Sequence, residues 1–303
     1  MEREPRRPFC ADISAETAEP LTATASRIDH WILIEYRGLW SRDVLDGSLF
    51  SGSVKAALRE QLETLPRSRL LFVRRPERRR RDGRMVYIAR STEDGAALFG
   101  LEVERPDDLA QLEVAALAEP VDHPLLVVCT HGKRDRCCAR YGRPLYDRVS
   151  KEADEEWVWQ SSHVGGDRFA GNLVTLPHGL YFGRVAARDV LPLLDEYHAA
   201  RIYLDRYRGR SCYPFPVQAA EHAVRSATNV TEIDGLRLVS SERSGSDRWT
   251  IRFLVLSSEQ MHEAEVVREA GDLTYLTCDA KALRHPRRYV VTRREEIPPV
   301  PND

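Results

Sequence analysis

Three cysteines fall close together in this chain, Cys129, Cys137 and Cys138, within the stretch VVCTHGKRDRCCARYG. His163 follows in SSHVGGDRFAGN, 34 positions after Cys129, and Asp167 comes four residues later. Thiolates and an imidazole on two short segments are the donor set of a zinc or an iron–sulfur site. Cys129 closes the apolar run PLLVVCT (124–130), which reads as a buried strand. The carboxyl ends of strands in α/β sheets are where ligands gather. Cys137 and Cys138 lie where a helix over 138–149 begins, and helix N-termini favour thiolate. Pro144 must sit in that helix's first turn or break it.

Two adjacent cysteines rarely aim both sulfurs at one point. One of Cys137 and Cys138 is therefore expected to ligate and the other to pack or stand by. Gly165 and Gly166, just after His163, let the backbone take positive φ or approach a neighbour closely. Asp167 has three possible roles: ligand, ion-pair partner of Arg168, or cap of the turn. Lys133, Arg134 and Arg136 in the intervening loop could offset the charge of a thiolate-ligated centre. Cys10 reads as a packing residue or a free thiol, and Cys278 has no partner visible in sequence.

The rest of the chain must position these loops. Its 303 residues are 42% hydrophobic and 30% charged, with a net charge of -2. That composition is ordinary for a globular protein with a large core, and gives no reason to expect nucleic acid or an anionic membrane as partner. The N-terminus lacks the apolar core of a signal peptide, and no run approaches a membrane span. The expected compartment is the cytoplasm, where thiols stay reduced or bind metal. The run ERRRR (77–81) reads as a solvated hairpin tip.

Residues 1–28 read as an arm. From there, WILIEY (31–36) predicts a strand, 53–65 a helix, and 70–75, 85–90 and 97–104 three more strands, followed by a helix over 106–117. After the strand 124–130 and the helix 138–149, three strands at 157–162, 172–176 and 180–185 and a helix over 189–202 follow. The two stretches share one element order, offset by 94 positions from Trp31 to Leu125. A strand–helix–strand opening followed by a hairpin and a last helix is the thioredoxin-like arrangement. The expected fold is thus α/β, with two tandem thioredoxin-like units. Residues 29–120 form a structural first unit, 121–227 a ligand-bearing second, and 228–303 a small β-rich C-terminal region.

CTHGKRDRCCARYG and SSHVGGDRFAGN, with WILIEYRGLW upstream, resemble the sucrase/ferredoxin-like family over roughly residues 10–225. The resemblance implies a relative of thioredoxin-like ferredoxins whose [2Fe–2S] cluster is held by two Cys and two His. Carried over, Cys129 and Cys138 match the thiol positions, Cys137 is an extra neighbour, and His163 matches the first His. The second His position is Asp167 here. No carboxylate pair suits the glycoside hydrolysis that half of the family's name implies. The expectation is a [2Fe–2S] electron carrier, not a catalyst on a small substrate, served by a redox partner protein. Cys129, Cys138 and His163 would ligate, with Asp167 or Cys137 as fourth. The alternatives are a metal-free thiol oxidoreductase and a structural zinc protein on the same ligands.

Overall fold

The computed structural model describes residues 7–76, 82–110 and 118–298. The ERRRR run and the second half of the helix expected over 106–117 lie outside them; Pro106–Ala110 is a 3-10 turn.

A short helix, α1 (Cys10–Glu16), comes first, in the segment expected to be an arm. Then β1 (His30–Glu35), α2 (Gly52–Thr64), β2 (Ser68–Arg74), β3 (Arg84–Thr92) and β4 (Gly95–Val103) follow in turn. After a two-residue β5 (Glu119–Pro120) the pattern repeats with β6 (Leu125–Cys129), α3 (Arg136–Glu152), β7 (Val158–Ser161), β8 (Leu173–Leu176), β9 (Leu180–Phe182) and α4 (Val190–His198). A tenth strand, β10 (Tyr207–Arg210), and helix α5 (Phe215–Thr228) lead to a separate antiparallel sheet of β11 (Leu236–Arg243), β12 (Arg248–Val255), β13 (Gln260–Ala270) and β14 (Arg287–Ile297).

The first ten strands form one mixed sheet in the order β10-β9-β8-β6-β7-β2-β1-β3-β4-β5. β1 and β2 are parallel, as are β6 and β7, while β3 and β8 run antiparallel to β1 and β6. Both halves therefore carry the local order second, first, third, fourth strand. They are joined edge to edge: β2 and β7 pair antiparallel through Val73–Ser161 and Arg74–Gln160. The Ser162 N–H extends that seam to the Phe72 carbonyl at 2.7 Å. One continuous sheet thus stands where two tandem units were expected. Among the described residues, no helix is long and apolar enough to cross a membrane.

Helix α3 differs from expectation. It runs through Pro144 without breaking. Proline removes the hydrogen bond to the carbonyl four residues back, which is that of Arg140. Both residues are exposed, so water can serve that carbonyl. The helix expected over 189–202 stops at His198, where Ala200 takes a left-handed φ of 55°. β10 is not apparent in sequence because its residues, YRGR, look like a solvent-facing turn, yet all four are buried.

Candidate metal centre

β6 is buried at every position, LLVVC, and delivers Cys129 to its carboxyl end. The loop that follows turns back on the His131 carbonyl, which accepts from the Arg134 and Asp135 N–H groups at 3.0 and 3.2 Å. Asp135 then caps α3, its Oδ1 accepting from the Cys137 N–H at 2.8 Å. The helix meets the end of β6 directly: a Cβ on Gly142 would lie 1.9 Å from the Cys129 carbonyl oxygen. Only glycine permits that approach, which brings the first turn of α3 over Cys129.

Successive residues on a helix diverge by about 100°. Cys138 consequently faces the large sheet and packs in one core with Cys129, Trp31 and Trp159. Cys137 faces α1 and packs with Cys10, Ala11, Ala170 and Cys278.

The second segment supplies His163. Gly165 and Gly166 have φ of 99° and 81°, a region closed to most side chains. The loop they shape is held by donors from β2, β9 and β10. The Val164 carbonyl accepts from Arg69 Nη1 at 2.6 Å and Tyr181 OH at 3.1 Å. Arg208, on β10, donates to the Gly165 carbonyl at 3.1 Å, to Asn172 Oδ1 at 2.8 Å and to the Thr24 carbonyl at 2.6 Å.

The donor atoms of Cys129, Cys138 and His163 lie within 4.8 Å of one another. Cys138 Sγ is 3.9 Å from His163 Nδ1 and 3.4 Å from Asp167 Oδ1, and His163 Nδ1 is 3.1 Å from Asp167 Oδ1. A tetrahedral ion with bonds of about 2.0–2.3 Å spaces its donors by roughly 3.3–3.8 Å, so these three donors could hold a metal ion, with Asp167 against two of them. Cys129 is held well below the ordinary thiol range, chiefly by the hydrogen bond from Cys138 and further by His163. The same bond, together with burial, pushes Cys138 up. Burial raises Asp167, with His163 partly opposing it.

Of the five residues singled out by sequence, Cys129, Cys138 and His163 come together, and Asp167 lies against Cys138 and His163. Cys137, considered as a fourth ligand, does not join them: its sulfur lies 3.5 Å from Cys10 Sγ and 3.3 Å from Cys278 Sγ. Asp135 and Arg208 also escaped the sequence reading. A lone aspartate before a helix announces only a cap, and a buried arginine looks like any other.

A profile of the Sucrase/ferredoxin-like family matches residues 21–209. The chain belongs to this family. Three yeast relatives, each named Altered inheritance of mitochondria protein 32, match in part. The protein of Meyerozyma guilliermondii is 30% identical over 121 residues, 37% of this chain and 43% of the relative. That of Eremothecium gossypii is 30% identical over 105 residues, 30% of this chain and 34% of the relative. That of Debaryomyces hansenii is 29% identical over 101 residues, 30% of this chain and 37% of the relative. The chain thus spans less than half the length of the curated relatives it matches. No solved structure is significantly similar.

These findings correct one expectation. The relatives' name describes mitochondrial inheritance, and the family match extends no further than a sucrase/ferredoxin-like chain, so the [2Fe–2S] electron carrier expected from sequence is overturned.

Proposed function

We propose that this sucrase/ferredoxin-like protein is a metal-binding protein whose centre holds one zinc-like divalent ion on Cys129, Cys138, His163 and Asp167. The convergence of three soft or borderline donors within one coordination shell carries the reading. Four protein ligands and a buried setting are the marks of a structural zinc site, which is closed, whereas a catalytic one keeps an open position. When bound, the ion supplies a cross-link between the end of β6, the start of α3 and the His163 loop.

The chain's own residues prepare the place. Burial of both thiols beside His163 favours ligands that need little reorganisation, and the Val164 carbonyl, which accepts from Arg69 and Tyr181, fixes the backbone next to His163. The shared strand order β2-β1-β3-β4 and β7-β6-β8-β9 supports reading the large sheet as a duplicated thioredoxin-like unit that kept donors only in its second copy. Six buried free cysteines support a reducing compartment such as the cytoplasm.

Metal analysis of protein purified under reducing conditions tests the reading. Zinc in a colourless protein, reduced by one ion per chain in His163→Ala, is the expected result. A brown protein containing iron and inorganic sulfide would overturn it.

A further inference from the structure

Cys10, Cys137 and Cys278 come from three distant parts of the chain and meet at one point. Their sulfurs form a triangle with edges of 3.5 Å (Cys10–Cys137), 3.3 Å (Cys137–Cys278) and 3.7 Å (Cys278–Cys10). All three are free thiols, and with Asp135 all four side chains are between 0% and 3% exposed. Asp135 Oδ2 accepts from the Cys278 N–H at 2.7 Å and lies 4.0 Å from Cys10 Sγ. The four donor atoms lie within 4.8 Å of one another.

We propose that these four residues are a second metal site, a structural zinc site that fastens α1 and the segment between β13 and β14 to the N-terminus of α3. Thiols alone could be apolar filling. Asp135 argues against that. A buried carboxylate needs a countercharge or a full set of donors. Among the described residues, no Lys, Arg or His side chain lies within ion-pair distance of it, and its close donors are the backbone N–H groups of Cys137 and Cys278. The N-terminus of α3, which Asp135 caps, supplies only a partial positive charge, and a divalent ion would complete it. Sulfur separations of about 3.8 Å suit bonds of about 2.3 Å to a tetrahedral zinc, so the triangle needs to open by only a few tenths of an ångström.

The surroundings are built to bring these pieces together. Arg7 donates to the Ala280 carbonyl at 2.6 Å and also to that of Cys278, tying the chain before α1 to the Cys278 segment. Tyr141 of α3 donates to Asp12 of α1. Arg136 and Arg140 lie over the Phe9 ring, 5.3 and 4.8 Å from its centroid, and add positive charge near a thiolate-rich centre. Binding releases the thiol protons to solvent as three S–Zn bonds form. Cys10 and Cys278 lie 268 positions apart, and closing so long a loop is where a clip restricts the unfolded chain most.

The test uses the full chain carrying Cys129→Ser and Cys138→Ser, so that its outcome does not depend on the first centre. The protein is stripped with a chelator under reducing conditions and titrated with Co2+ alone. Expected are one cobalt ion per chain, tetrahedral d–d bands and strong thiolate-to-cobalt charge transfer, all lost when Cys278→Ser or Cys10→Ser is added. If those variants fail to fold, the unmodified chain is loaded with Zn2+ and alkylated. Cys10 and Cys278 should then react at least about ten-fold more slowly than after chelation, since bound thiolates are withdrawn from solution. Cobalt bound without thiolate bands, or alkylation of both cysteines at equal rates with and without zinc, would overturn the proposal.

Discussion

Cys137 and Cys138 are adjacent in sequence, yet their sulfurs belong to different clusters: Cys138 faces Cys129 and His163, and Cys137 faces Cys10 and Cys278. The first turn of α3 thus stands between two donor sets, with its cap, Asp135, in the second. Two single substitutions should separate them. Cys138→Ser is expected to remove metal from the first centre and leave the alkylation of Cys10 unchanged. Cys137→Ser should do the reverse. Peptide-resolved alkylation together with metal content checks both.

Gly142→Ala is expected to destabilise the fold by about 1–3 kcal/mol, the usual cost of overpacking. The added methyl meets the Cys129 carbonyl, which is backbone in a fully buried strand and has nowhere to go. Pushing α3 outward also carries Cys138 away from Cys129. Thermal melting should show the loss, and chelator competition should show faster metal release than from the parent.

Much of this was legible in the sequence, and the rest was hidden for definable reasons. Cys129 ends an apolar run, so its strand and its place at a sheet edge followed from hydrophobic pattern alone. Gly165 and Gly166 marked a positive-φ turn, which the structure has. The cluster of Cys10 and Cys278 could not be read, because nothing local encodes a meeting across 268 positions. β10 was hidden because Arg208 and Arg210 are buried by tertiary partners, against the habit of their residue type. Pro144 misled because its missing hydrogen bond falls on a solvent-facing carbonyl, a matter of helix orientation and not of sequence.

Arg208→Met should be more damaging than a surface arginine change. The side chain is buried and serves Gly165, Asn172 and Thr24, so its loss strands the buried Asn172 and two half-buried carbonyls, at about 1–3 kcal/mol for a buried acceptor. The expected outcome is a loss of about 3 kcal/mol or more in urea unfolding. Metal affinity should fall as well, because the His163 loop loses its fixed backbone.

His178 should contribute to acid sensitivity. Burial holds its imidazole below the ordinary value of 6.5, with Arg210 adding to the effect and Asp234 opposing it. It also bonds Tyr197 OH at 2.8 Å. The folded state keeps the ring neutral, so above about pH 6.5 neither state binds the proton and stability is full. As pH falls below that value, the unfolded state protonates first and stability declines. In urea titrations at pH 7.5 and 5.5, His178→Asn should show a smaller decline than the parent. An equal decline in both would exclude His178 as a source.

The most direct measurement is X-ray absorption at the zinc edge on the Cys278→Ser chain, in which the first centre is the one left with its full donor set. The expected shell has two sulfurs at about 2.3 Å and two nitrogen or oxygen donors at about 2.0–2.2 Å, with no second metal beyond them. Loss of this zinc shell in Cys129→Ser and in His163→Ala would complete the assignment. An iron edge with a metal neighbour, or zinc surrounded by oxygen alone, would contradict it.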